Sequence, residues 1–177
     1  MHYPKPYIDY LVYFHGLRDY FECHEVLEEY WKEDCEGGKK DYWVSFIQIA
    51  VSLYHQRRNN FKGAYRMMKS AAVILQRERN AVESLGINYD LLLKDLENRL
   101  VDLQNETPYQ SMNLPLTDEK LIAECKRHCE EQNCVWGNPS DLTNDFLLNK
   151  HTKRDRSGVI AERDSQRKLR AQKRKGH

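Results

Sequence analysis

The chain has 177 residues, 40% hydrophobic and 31% charged, with a formal net charge of +1. That length suits one well-cored domain, and the composition excludes a chain disordered throughout. Five cysteines at irregular spacing exclude a disulfide framework and suit a reducing compartment.

Pro4, Pro6 and Asp9 interrupt the N-terminus, so no continuous apolar signal segment is seen. The longest uncharged apolar stretch, Tyr42 to Tyr54, falls short of the roughly 20 residues a spanning helix needs. A cytoplasmic protein without membrane contact is expected. The charge is unevenly spread: from Lys150 to His177 there are eleven Lys or Arg and three Asp or Glu, so the body carries −7 and the tail +8.

In chain order, Ile8, Leu11, Val12 and His15 predict a first helix over Tyr7 to His15, ended by Gly16. Asp19 with Glu22 three residues on reads as an N-cap and acidic capping box. A second helix then runs to about Lys32 with Tyr20, Leu27 and Trp31 on one side, and Gly37-Gly38 breaks it. The third, Asp41 to Arg57, is apolar nearly all round, which predicts a central, buried helix.

Asn59-Asn60 supplies a turn and cap for a fourth helix striped by Phe61, Ala64, Met68, Ala71, Ala72 and Leu75. A fifth starts from Asn88 and carries Tyr89, Leu92, Leu96, Leu100 and Leu103. Pro108 and Pro115 predict an extended stretch over Thr107 to Pro115. Thr117 is expected to cap a sixth helix to about Gln132, and Pro139 to open a short seventh ending near Asn149.

The expected fold is all-α, a compact bundle of five to seven short helices. Its core spans residues 1–106, a helical extension over 107–149 packs on that core, and a basic tail over 150–177 is expected to be disordered.

Candidate chemistry starts from His24 and Glu28, one helical turn apart at the margin of the apolar stripe. A carboxylate pointing inward needs a partner. The third helix offers Ser45, Gln48, Ser52 and His55 in one narrow stripe, uncharged between Asp41 and Arg57. If the two helices pack antiparallel, His24 comes near His55 and Glu28 near Gln48. The candidate polar pocket is then His24, Glu25, Glu28, Trp31, Gln48 and His55, suited to a small ligand. With His24, Glu28 and His55 as ligands it also suits a divalent metal.

A metalloprotease helix needs His at both ends of the five-residue run, and here the last is Glu28. A second metal candidate is Cys125, His128, Cys129 and Cys134, although Cys125 and Cys129 also fit an apolar stripe. The tail's clustered bases (Arg167, Lys168, Arg170, Lys173, Arg174, Lys175) suit phosphate contact without base reading. The competing reading is a non-enzymatic module that docks a protein partner through its acidic body while the tail touches nucleic acid.

The segments Phe14-His15-Gly16, Phe21-Glu22-Cys23-His24-Glu25-Val26-Leu27-Glu28 and Trp31 resemble the family catalogued as domain of unknown function 309. Phe46-Ile47-Gln48-Ile49-Ala50, His55, Asn60 and Gly63-Ala64 match the same pattern, so the resemblance covers about residues 7 to 75. It implies a compact bundle of short helices, mainly bacterial and archaeal, with no assigned activity.

Overall fold

In a computed structural model, which describes residues 2–34, 38, 40–153 and 157–175, the chain is all-α. The helices are α1 (Lys5–Val12), α2 (Tyr20–Glu33), α3 (Asp41–Arg57), α4 (Phe61–Leu75), α5 (Arg79–Ser84) and α6 (Tyr89–Gln104). They are followed by α7 (Glu119–Glu131), α8 (Asp145–Leu148), α9 (Lys150–Lys153) and α10 (Ser157–Lys175). Gly38 sits at φ +91°, while Gly37, the other half of the expected break, lies outside the described residues.

The first helix is not the single element its periodicity predicts. It gives way at Tyr13–Leu17 to a π-helical turn, closed by Arg18 in the left-handed region at φ 52°. This wider turn brings His15 and Gly16 inside. Asp19 then caps α2 as expected, accepting from the Glu22 N–H at 3.2 Å. Its other carboxylate oxygen accepts from Lys150 Nζ at 2.7 Å. Asp19→Ala is therefore expected to cost about 1–2 kcal/mol through the cap alone. Urea melts of Asp19→Ala, Lys150→Ala and the double variant would check it. Additive losses would show that the ion pair contributes nothing.

The centre is α3, whose Phe46, Ile49, Ala50 and Leu53 are fully buried. It packs between α2 and α4, and α6 packs on α4. Small residues (Gly63, Ala64, Ala71, Ala72) line the buried face of α4 and permit close approach to α3. Buried tyrosines complete the core by donating to main-chain carbonyls: Tyr7 to Leu85 (2.8 Å), Tyr10 to Phe46 (2.8 Å) and Tyr89 to Leu75 (2.9 Å). Leu85 is the residue that caps the C-terminus of α5 and Leu75 is the last residue of α4, so two of these bonds close helix ends.

Asn60 and Asn88 cap α4 and α6 as expected. The cap of α7 is Asp118 rather than Thr117, because the longer reach of its carboxylate takes the Lys120 and Leu121 N–H groups. The expected helix from Pro139 shrinks to the four residues of α8. α5 was not foreseen, its six residues being too few to show a period. The stretch after α6 is extended and makes one antiparallel bridge, Leu116 to Ile87.

The basic tail, expected to be without fixed structure, carries α10. Its Ala, Glu, Arg, Gln, Lys and Leu residues are strong helix formers, and its side chains from 163 to 173 are exposed. No helix among the described residues is long and apolar enough to cross a membrane.

Candidate functional site

Three of the expected pocket residues lie together on α2. His24 presents Nε2 to Glu28 Oε2 at 2.8 Å and Nδ1 to Glu25 Oε1 at 3.1 Å. Lys32 Nζ meets the other Glu28 oxygen at 2.8 Å. Residues four apart share a helix face, so 24, 28 and 32 form a ladder.

The ladder is open to water. The His24 and Glu28 side chains are 33% and 34% exposed. Burial raises the Glu28 pKa, but the Lys32 hydrogen bond and the charges of His24, Lys32 and Arg163 outweigh it and hold it below the usual range. Trp31 is half-buried and packs against the core beside this ladder.

The third helix turns its polar stripe elsewhere. Ser52 Oγ donates to Ala64 O of α4 at 2.6 Å, and His55 Nδ1 meets Asn60 Nδ2, at the start of α4, at 3.3 Å. Burial pulls the His55 pKa below its ordinary value, and the charges of Arg58, His151 and Arg66 add to it. Two contacts fix the α2–α3 register: the Tyr30 ring 5.5 Å from Trp43, and Arg57 Nη1 donating to Arg18 O at 2.7 Å.

His55 is thus level with the first turn of α2, and His24 lies about 6 Å further along. The structure brings His24, Glu25 and Glu28 together and sets His55 apart. Gln48 is half-buried, and its Oε1 is buried without a hydrogen bond among the described residues.

The cysteine cluster also divides. Cys125 and Cys129 are buried among the core side chains, whereas His128 faces Glu131 (3.4 Å) and Glu124 (3.9 Å) on the outer side of α7. Among the described residues, no three His, Cys, Asp or Glu side chains are disposed to hold a metal ion. His55 is set off from His24 and Glu28 along the helix axes, and His128 lies on a different face of α7 from Cys125 and Cys129.

A larger polar constellation escaped the sequence. Arg18 is only 1% exposed. Its guanidinium donates to Asn138 O (2.7 Å), Met112 O (2.6 Å), Phe14 O (3.1 Å) and Asn113 Oδ1 (2.7 Å). Arg57 lies over the Tyr20 ring, 4.7 Å from its centroid, and donates to Ser140 Oγ at 3.1 Å. Tyr109 links this group, bonding the hydroxyls of Tyr20, Ser111 (3.1 Å) and Ser140 (2.7 Å).

His15 belongs to the same region. Its Nδ1–H donates to Leu11 O at 3.0 Å and its Nε2 accepts from the Leu114 N–H at 2.9 Å. The Trp136 ring stacks on it at 4.3 Å. Burial, with the Arg18 charge adding to it, pulls the His15 pKa down to about 3, so the ring is neutral. The constellation ties residues 107–151 onto the first helices, and for Arg57 a signal was present: it ends an apolar helix and has no acidic residue three or four positions away.

The helices described above make this a small all-α domain. The chain belongs to the family described as "Domain of unknown function (DUF309)", whose model matches residues 7–67. It is 51% identical over 164 residues to the "Uncharacterized protein YpuF" of Bacillus subtilis (strain 168), covering 93% of this chain and 94% of that protein. No solved structure matches it significantly.

Proposed function

We propose that the domain is a non-enzymatic interaction module whose α2 face receives a basic helical segment of a protein partner. The observation that carries this is the open ladder. His24, Glu25 and Glu28 are held in register and about one-third exposed, and Lys32, Glu29 and Glu33 on the same helix are exposed. An acidic strip of this kind steers and orients a complementary charge rather than enclosing a small molecule. The chemistry of the occupant follows from charge: Arg163 of the chain's own basic α10 already bears on Glu28.

Among the described residues the core cluster and its flank end at Trp136, so a chain of residues 1–153 keeps it whole. That chain is expected to bind a labelled peptide of residues 157–175, measured by fluorescence anisotropy, with affinity falling as salt rises. Glu25→Gln with Glu28→Gln is expected to weaken it about tenfold, or ~1.4 kcal/mol, within the range of two partly exposed ion pairs. Equal affinity of variant and parent would remove this reading. If an RNA oligonucleotide instead outcompeted the chain for the peptide, the tail would be assigned to phosphate.

A second reading, a small-ligand seat on the exposed side of α3, is favoured by the unbonded Gln48 Oε1. In the unliganded chain Gln48→Leu is expected to gain about 1 kcal/mol, because it removes a buried acceptor that has no donor. Loss of stability in a urea melt would show the oxygen to be used within the fold, and this reading would fall.

A further inference from the structure

We propose that Cys129 and Cys134 form a thiol–disulfide couple at the C-terminal end of α7, closed by a low-molecular-weight disulfide such as oxidised glutathione. The chain leaves α7 after Glu131 and turns back at Asn133, which sits at φ 57°. The Cys134 N–H then donates to Cys129 O at 2.9 Å. This is the six-residue closure of a Schellman cap, a motif in which an apolar pair commonly meets across the turn. Here the pair is two thiols.

A second, independent observation shows that the sulfurs converge. A Cβ built on Gly16 would lie 2.6 Å from Cys129 Sγ and 2.9 Å from Cys134 Sγ, so both point at the same small space. The glycine in the π-helical turn keeps that space free. Both thiols are free. A disulfide needs Cα atoms about 4.4–6.8 Å apart, and the Cys134 N–H to Cys129 O bond at 2.9 Å holds the two residues' main chains together across the turn.

The two sulfurs are unequal. Cys129 is 1% exposed, whereas Cys134 is half-buried and open to reagents. Cys134 as thiolate attacks one sulfur of the external disulfide and expels one thiolate, which leaves a mixed disulfide. Cys129 gives its proton to that thiolate, its sulfur attacks the Cys134 sulfur, and the second external thiolate leaves. Two protein thiols are oxidised and one external disulfide is reduced to two thiols. Burial pushes the Cys129 thiol up to about 12, and its hydrogen bond to Cys134 adds to this, in keeping with the resolving role.

The bond would fasten the segment after Cys134 to α7. In that segment Trp136 stacks on His15, Gly137 N–H donates to His15 O at 2.8 Å, and Asn138 O accepts from Arg18.

The test uses the folded full chain in buffers of increasing oxidised to reduced glutathione, followed by alkylation and tryptic mass mapping. Cys129 and Cys134 fall in one peptide, residues 128–150, and Cys125 falls in another. The peptide 128–150 is expected to lose two hydrogens and both alkylation sites, while Cys125 stays alkylated. Cys129→Ser is expected to accumulate the glutathione adduct on Cys134. In Cys134→Ser, Cys129 is expected to stay unmodified, which keeps the test open should either variant fold poorly. Two free thiols at every ratio, or a lasting adduct on Cys134 in the parent chain, would overturn the proposal.

Discussion

Arg18→Met is expected to lower the unfolding free energy by about 3–5 kcal/mol, the sum for a few buried acceptors that each lose a donor. The side chain is nearly completely enclosed, yet every polar contact it makes is to an uncharged oxygen. Three of those four acceptors belong to residues 112–138, so the guanidinium holds the later chain against the start of α2. Without it, several buried carbonyls lose their donors, each at about 1–3 kcal/mol. Lys does not rescue, because one ammonium cannot donate along the fork of directions that Asn138, Met112 and Asn113 occupy. Urea melts would decide it, and a loss under about 1 kcal/mol would show these acceptors to be served by water instead.

Acid is expected to destabilise the protein before its carboxylates titrate. The His15 pKa is about 3 in the fold and about 6.5 unfolded, so between these values the unfolded chain binds the extra proton. The stabilisation by neutral His15 is therefore complete above pH ~6.5. It is lost progressively as pH falls toward 3, at about 1.4 kcal/mol per pH unit. By pH ~4.5 the loss from this residue reaches about 3 kcal/mol.

His55 is also shifted down and adds in the same direction; its half-exposed ring makes that share smaller. His15→Gln, which can still donate to the Leu11 carbonyl, should flatten the profile between pH 6.5 and 4.5 while costing stability at pH 7. An unchanged slope would assign the acid sensitivity to other groups.

Much of the scaffold could be read from residue order. The Asp19, Asn60 and Asn88 caps each sit just before a periodic apolar run, and each does cap the helix expected of it. The ladder of His24 and Glu28 was equally plain, because a four-residue spacing needs no knowledge of the neighbours. What could not be read was phase. A helix apolar nearly all round, like α3, carries no mark of which side meets which partner. Ser52 and His55 of its polar stripe, expected toward α2, therefore meet α4 instead. Arg18 and Arg57 escaped because a guanidinium is presumed wet, and the carbonyls that enclose them come from residues far along the chain.

The π-helical turn at Tyr13–Leu17 has a further consequence, for tolerance to change in chain length. Removing one residue there would let the corner relax into ordinary α-helix, and everything upstream would swing by about 100°. Tyr7 and Tyr10 would leave the carbonyls of Leu85 and Phe46, and Gly16 would withdraw from the sulfurs it accommodates. Related chains that keep this packing are expected to vary in side chains at the corner and to hold its length constant.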